Sequence, residues 1–400
     1  VLRYDTIGHT WKYRINFKWQ PLEALYGWGS HMEDYMNLRG KELYLCQHNL
    51  KAMVPVLNST AGYGLLFDAG CAMMFKDNSE GSFVELEAAK QIDYYFMKGK
   101  TMDAVVANYR MLTGNSPMMP LYLFGYIQSK ERYVSSDDLI NTLKEYRQRQ
   151  IPIDMIVQDW NYWPEGQWGN MSMNPKFYPD KRKLADEIHS LHAKLMISIW
   201  PNAMNCPQHE EFKRKGWLLS GTSVYDAFNP LARKLYWNYA NNEFFGNGFD
   251  AWWCDASEPL DADWTFMKDG YGADNHRQRW ELNTNLLNSV LGAERSQLYS
   301  LYHAKGIYEN QRSTNEDKRV VNLTRSSYAG QQRYSTITWN GDTYATWQSF
   351  AQMIPAGLNF MATGCPYWTV DIGAFFTKNG PQWFWKGDYD KGVADMAYRE

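Results

Sequence analysis

Most of the usual signatures of a chemical function are missing from this chain. There is no GxxxxGK loop to cradle a phosphate, no HExxH helix to seat a metal and no GxSxG elbow to raise a serine nucleophile. Basic residues never run five in a row, and 41 Lys and Arg stand against 44 Asp and Glu, a net charge of −3. That balance argues against nucleic acid as a partner. No apolar run approaches the roughly 18 residues needed to span a bilayer, so the reading is of a soluble chain whose compartment, periplasmic, secreted or cytoplasmic, stays open. Five cysteines, Cys46, Cys71, Cys206, Cys254 and Cys365, are an odd number without a CxxC pair, which speaks against a disulfide framework and a zinc knuckle alike. The eight histidines are scattered. His189 and His192 lie three apart on an expected helix, where a ligand pair competes with an ordinary solvated face. Neither a metal nor an organic cofactor is expected. The chain opens on Val1 without a methionine or signal peptide, and Arg399 and Glu400 read as mid-helix, so a piece of a longer protein is expected.

What remains is aromatic and acidic. Four hundred residues suffice for two domains or a large barrel with a companion, and 16% of them are aromatic, with 18 Trp and 28 Tyr. Flat rings with polar tips suit stacking on sugar faces, although a core also uses them. Residues 1–117 carry short alternating segments such as Lys12 to Trp19 and Val54 to Leu57, broken by Gly and Asn turns, which predicts part of an antiparallel β-sandwich. From 118 to 400 the pattern becomes strand and helix in alternation. Leu121 to Ile127 reads as a strand, Ser135 and Asp138 open a helix with apolar face Leu139, Ile140, Leu143 and Tyr146, and Ile153 to Val157 reads as a strand reaching Asp159. A helix Lys183 to His192 and a strand Leu195 to Ile199 ending at Trp200 come after it. The fold class predicted is α/β, a (β/α)8 TIM barrel truncated at its C-terminus behind a β-sandwich.

Two acids sit where such a barrel does chemistry. Phe249 to Cys254 is short, aromatic and nearly free of charge, as a strand covered on both faces should be, and it stops on Asp255. Asp255 is either a reactive carboxylate at the C-terminal edge of the barrel or the cap of the next helix. A second stretch, Thr324 to Asp342, places Arg325 and Arg333 before an aromatic run ending Trp339-Asn340-Gly341-Asp342. Gly341 lets the backbone turn so that Asp342 points into a cleft, unless Asn-Gly-Asp is an ordinary loop. Glycoside hydrolysis uses such a pair, one carboxyl ionised and one protonated, in environments that push their pKa values apart. An arginine beside Asp255 would keep it ionised, and a dry, Trp-lined position would keep Asp342 protonated.

With these motifs in order the chain resembles glycoside hydrolase family 31, the retaining α-glycosidases, along most of its length. DAWWCDASEP is similar to the family's nucleophile segment, matching Trp253, Asp255 and Glu258, although Ala256-Ser257 stands where Met-Asn is common. TRSSYAGQQRY followed by WNGD resembles its arginine and acid/base segment, and GCPYWTVDIGAFF, Gly364 to Phe376, the next strand end. YGWGS, Tyr26 to Ser30, and GYGLLFD, Gly62 to Asp68, look like pieces of its N-terminal sandwich. The resemblance implies Asp255 as nucleophile, Asp342 as acid/base, and Asp159, Trp160, Trp200, Trp253, Arg325, Trp339, Asp371 and Phe375 as substrate-binding residues.

It also bears on the sugar. Asp159 matches the aspartate that binds distal hydroxyls, or it caps its own loop. Trp160 and Trp200 resemble the α-xylosidase branch, where an indole fills the volume of a hexose CH2OH; the alternative is packing at the barrel lip. Trp163 and Trp168 are candidates for stacking further sugars. The expected activity is exo-cleavage of terminal α-linked xylose from an oligosaccharide. The alternatives are an α-glucosidase or transglycosylase of the same family, and a non-catalytic carbohydrate-binding protein.

Overall fold

The computed structural model describes residues 2–5, 9–130, 132–261 and 276–376. The helix expected at Arg399 and Glu400 lies outside them. Nine strands come first: β1 (Leu2–Asp5), β2 (Trp11–Phe17), β3 (Leu25–His31), β4 (Glu42–Leu45), β5 (Lys51–Ser59), β6 (Tyr63–Phe67), β7 (Met73–Asn78), β8 (Gly81–Ala89) and β9 (Tyr94–Lys98). They form two antiparallel sheets, ordered β1-β2-β8-β7-β4 and β3-β5-β6-β9. Leu43, Leu45, Phe75, Val84 and Leu86 of the first meet Leu25, Trp28, Met53, Leu65 and Phe67 of the second, which makes the sandwich core. β3 bulges between Gly27 and Gly29. Gly29, at φ +104°, lies too close to the Ala52 carbonyl for any Cβ, and the bulge seats Trp28 against Phe67 and Phe75 at 5.7 and 5.8 Å.

β5 departs from the expected alternation, because all nine of its residues are buried. Met53 and Leu57 enter the sandwich, while Ala52, Val54 and Val56 pack with Val105 and Tyr109 of α1 (Met102–Thr113) and with Phe360 of a much later helix. Both faces are covered, so the strand reads as a continuous apolar run. Each valine buried there contributes about 1.5–3 kcal/mol, enough to bind the sandwich firmly to those two helices.

Seven parallel strands come next and pair in chain order: β10 (Ile127–Gln128), β11 (Met155–Gln158), β12 (Lys194–Ile199), β13 (Ala251–Cys254), β14 (Asn322–Thr324), β15 (Thr336–Trp339) and β16 (Trp368–Thr369). The sheet curls as part of a TIM barrel. Between its strands run α2 (Ser136–Gln148), α3 (Lys181–Ser190), α4 (Pro207–Arg214), α5 (Pro230–Glu243), α6 (His276–Leu291), α7 (Tyr299–Thr314) and α8 (Trp347–Ala362). Side chains alternate across the sheet, Met155, Val157, Met196, Ala251, Leu323 and Ile337 facing inward and Ile156, Leu195, Ile197, Ile199 and Trp252 facing the helices.

Residues 121–127 do not form the single strand expected. A 3-10 turn, Leu121–Phe124, precedes the two-residue β10. Among the described residues β10 pairs only with β11, and Leu121 is 86% exposed, so no second ladder holds the run extended. α2 opens as expected, with Ser135 Oγ accepting the Asp138 N–H at 3.1 Å. α3 begins before Lys183 because Asp180 Oδ1 caps it, accepting the Lys183 N–H at 2.8 Å, and it stops before His192, whose φ is +57°. His189 and His192 make no ligand pair, since His189 Nε2 lies 2.7 Å from Asp250 Oδ2.

Candidate active site

Parallel strands share one C-terminal edge, and each of six consecutive strands delivers a side chain there. Asp159 follows β11, Trp200 follows β12, Asp255 follows β13, Arg325 follows β14, Asp342 lies just past β15 and Asp371 just past β16. These six line one cavity of about 1550 Å³, together with Trp160, Trp253, Trp339 and Phe375. Trp253 and Trp339 belong to the strands themselves and meet edge to face at 4.9 Å within it.

Arg325 organises the charges. Its Nε and Nη2 donate to Glu258 Oε1 and Oε2, both at 2.9 Å, in the fork geometry that suits guanidinium and carboxylate. Nη1 remains, 3.1 Å from Asp255 Oδ1 and 3.7 Å from Asp342 Oδ2. Arg325 and Glu258 are 4% and 2% exposed, whereas Asp255 and Asp342 keep 16% and 15%. The buried pair is therefore a fixed cation on which two partly accessible acids converge. Glu258 stood in the sequence only as the end of a motif. The need of a buried arginine for a paired acid is a signal that could have found it, had the burial of Arg325 been known.

The acids are held far from their ordinary behaviour. Burial pushes Asp255 up to about 6, with Arg325 pulling it back and Asp342 and Glu258 adding to the rise. Burial also raises Asp342, against the pull of Arg325 and of a hydrogen bond from Asn49. Asp371 is pushed up to about 8 by burial and then by Asp342 and Asp255, and Asp159 goes well above the carboxylate range from burial and Asp255. Only Glu258 moves down, because Arg325 outweighs its burial. Arg325 stands beside Asp255 as expected, yet both acids move up, because burial outweighs the pull of one cation shared by three acids.

Asp159 caps its own loop and also faces the cavity. Its Oδ1 accepts the Trp160 N–H at 2.7 Å, and the residue also lines the cavity. Beside it stand Trp160, Trp168 and Trp200, with centroids 5.1 Å apart for Trp160 and Trp168 and 5.2 Å for Trp168 and Trp200. Trp168 borders the cavity, but Trp163 does not. It is 5% exposed and backs Trp160 and Trp168 at 6.3 and 5.7 Å, which makes it a packing residue rather than a stacking platform.

Gly341 takes φ +83° and brings Asp342 round into the cavity. The chain approaching it is unexpected. Asn49, on the turn between β4 and β5, donates from Nδ2 to Asp342 Oδ2 at 2.7 Å and accepts the Asp342 N–H on Oδ1 at 2.9 Å. Nothing local in the sequence marks a residue 293 positions away. Past Asp342 the wall closes where the Phe375 N–H donates to Thr343 O at 3.1 Å.

The barrel segment of the chain matches a known domain. A sequence profile described as "Glycosyl hydrolases family 31 TIM-barrel domain" covers residues 116–386. The chain belongs to glycoside hydrolase family 31. It is similar to an α-xylosidase of Saccharolobus solfataricus, 36% identical over 388 residues, covering 94% of this chain and 51% of that protein. An uncharacterized family 31 glucosidase of Pseudescherichia vulneris is 31% identical over 386 residues, with 92% of this chain and 69% of that protein covered. Among solved structures, a family 31 α-xylosidase from a soil metagenome, complexed with xylose, superposes with a TM-score of 0.80 at 28% identity, covering 94% of this chain and 55% of that one. The chain spans 51% of the first relative's length, about half.

Proposed function

We propose that this family 31 chain carries the catalytic site of a retaining, exo-acting α-glycoside hydrolase that releases terminal α-linked xylose from oligosaccharides. The carrying observation is Arg325 Nη1 standing 3.1 Å from Asp255 and 3.7 Å from Asp342. The sum of those distances bounds the separation of the two oxygens. For Asp255 Oδ1 and Asp342 Oδ2 it admits the about 5–5.5 Å of retaining enzymes and only the low end of the about 6.5–9.5 Å of inverting ones.

In this reading Asp255 attacks the anomeric carbon as the glycosidic C–O bond breaks, and Asp342 gives its proton to the departing oxygen. The sugar is then held on Asp255 through a β-linked ester. Asp342 next takes a proton from water, which attacks the same carbon, frees Asp255 and releases the sugar in its original α configuration. Arg325 sits closer to Asp255 than to Asp342, which favours ionisation of the attacking group. Asp159, raised well above the usual range, grips distal hydroxyls as donor and acceptor.

The indoles of Trp160, Trp168 and Trp200 beside Asp159 support xylose. A hexose CH2OH overlapping them costs about 1–3 kcal/mol or more, whereas xylose lacks that group and is accepted. The α-xylosidase relatives support the same choice. The glucosidase relative favours a second reading, α-glucose in the same place. Turnover of matched p-nitrophenyl α-xyloside and α-glucoside, with Asp255→Ala and Asp342→Ala beside the wild type, separates them. Faster xyloside cleavage lost in both variants is expected; faster glucoside cleavage sinks the pocket argument and leaves the mechanism standing.

A further inference from the structure

We propose that Asn49, presented by the sandwich, is a positioning residue for the Asp342 carboxyl and assigns which of its two oxygens moves the proton. The proposal rests on the acid/base reading of Asp342 given above. Asn49 holds Asp342 at two points, carboxylate and backbone N–H. Oδ2 takes the Asn49 bond and faces Arg325 Nη1 at 3.7 Å. Oδ1 accepts no hydrogen bond among the described residues, so it is the oxygen left to deliver a proton to the leaving group and to recover one from water.

The clamp is anchored on both sides. His48 and Lys51 pair across the turn at 2.8 and 3.1 Å, Leu50 takes φ +73°, and the Gln47 side chain donates to Ser327 O at 2.5 Å, two residues past Arg325. On the other side Gly341 leaves no room for a Cβ against Asn49 Oδ1, with Leu50 N at 2.7 Å from where it would stand. An asparagine that only stitched two loops together would have no reason to end on the carboxylate itself. That bond favours the ionised form, so Asp342 releases its proton in the first step and is ready as base in the second. The charged groups around Asp342 are Arg325 and Glu258, Arg279 of α6, and the acids Asp255, Asp371 and Asp159; His48 stands beside Asn49 on its own turn.

The test is the pH dependence of kcat/KM for an α-xyloside in the full-length protein. Asn49→Asp keeps the acceptor for the Asp342 amide but replaces the donor by a second acid; Asn49→Ser keeps a donor. In Asn49→Asp the alkaline limb, where the general acid loses its proton, moves up by about one pH unit and kcat drops at least about tenfold with KM little changed. Asn49→Ser returns the limb toward the wild type. Melting curves show which variants fold, and Asn49→Ala, which removes the donor outright and is expected to move the limb up as well, decides if Asn49→Asp does not fold. An Asn49→Asp or Asn49→Ala profile that overlays the wild type, or a loss confined to KM, overturns the proposal. Undiminished activity in Asp342→Ala would instead sink the acid/base reading on which it stands.

Discussion

Strand β13 has an aspartate at each end, and the protein treats the two in opposite ways. Asp250, just before the strand, receives His189 Nε2 at 2.7 Å, Lys318 Nζ at 3.2 Å, Lys194 Nζ at 3.7 Å and the Leu195 N–H at 3.0 Å. Burial alone would raise its carboxyl, but His189, Lys318 and that N–H together hold it below the usual range. Asp255, just after the strand, shares one arginine with two other acids and is raised to about 6. A single short strand separates a carboxylate surrounded by cations from one crowded by acids. Along this strand the electrostatics are favourable at the bottom and costly at the top, where chemistry needs groups that change protonation.

The sharpest way to break this contrast is to remove each acid in turn. Asp255→Asn is expected to lose at least about 10⁴-fold in kcat/KM, about 5.4 kcal/mol in the barrier, with the melting temperature unchanged or raised. Turnover and thermal melting on one preparation check it, and a large loss of stability would erase the distinction between the two ends. Asp250→Ala is expected to do the reverse, costing about 2–4 kcal/mol in urea unfolding at neutral pH while the folded fraction keeps its kcat. Its pH dependence has a definite sign. A depressed carboxyl stabilises fully above its unfolded value of about 3.9 and loses that contribution as pH falls through its lower folded value, so the gap between wild type and Asp250→Ala closes in acid.

The smallest effect is expected at Asp371, and it runs the other way. With its carboxyl raised to about 8, the folded state holds the proton more tightly than the unfolded one, so stability is lost as pH rises between about 4 and that value. Asp371→Asn therefore stabilises by on the order of 1–2 kcal/mol at pH 8, and the gain vanishes toward pH 4. Melting curves at the two pH values check this; a gain equal at both would mean that the Asp371 carboxyl is not raised in the folded state.

Strand-end chemistry is legible in the sequence because it depends on local pattern. A short apolar run ending on Asp255, another reaching Asp159 and a third reaching Trp200 each announce a strand and its edge, and the Ser135 cap announces α2. The illegible part depends on which segments meet. Glu258 explains why Arg325 can stay buried, yet its bond partner lies 67 positions on. Asn49 gives no signal at all, because the turn that carries it belongs to another layer of the fold. Trp163 looks like Trp168 in sequence, yet only Trp168 borders the cavity. The continuous burial of β5 differs from the expected alternation because its second cover comes from α1 and from α8, distant in sequence.

That second cover also sets an order of events during synthesis. Val54 and Val56 leave the ribosome early, and α1 emerges within seconds, but Phe360 arrives roughly 300 residues later, on the order of tens of seconds at about 5–20 residues per second. During that interval the outer face of β5 has only α1 over it. The nascent sandwich is then a half-covered sheet, and it becomes a finished layer only after six of the seven described barrel strands have been made.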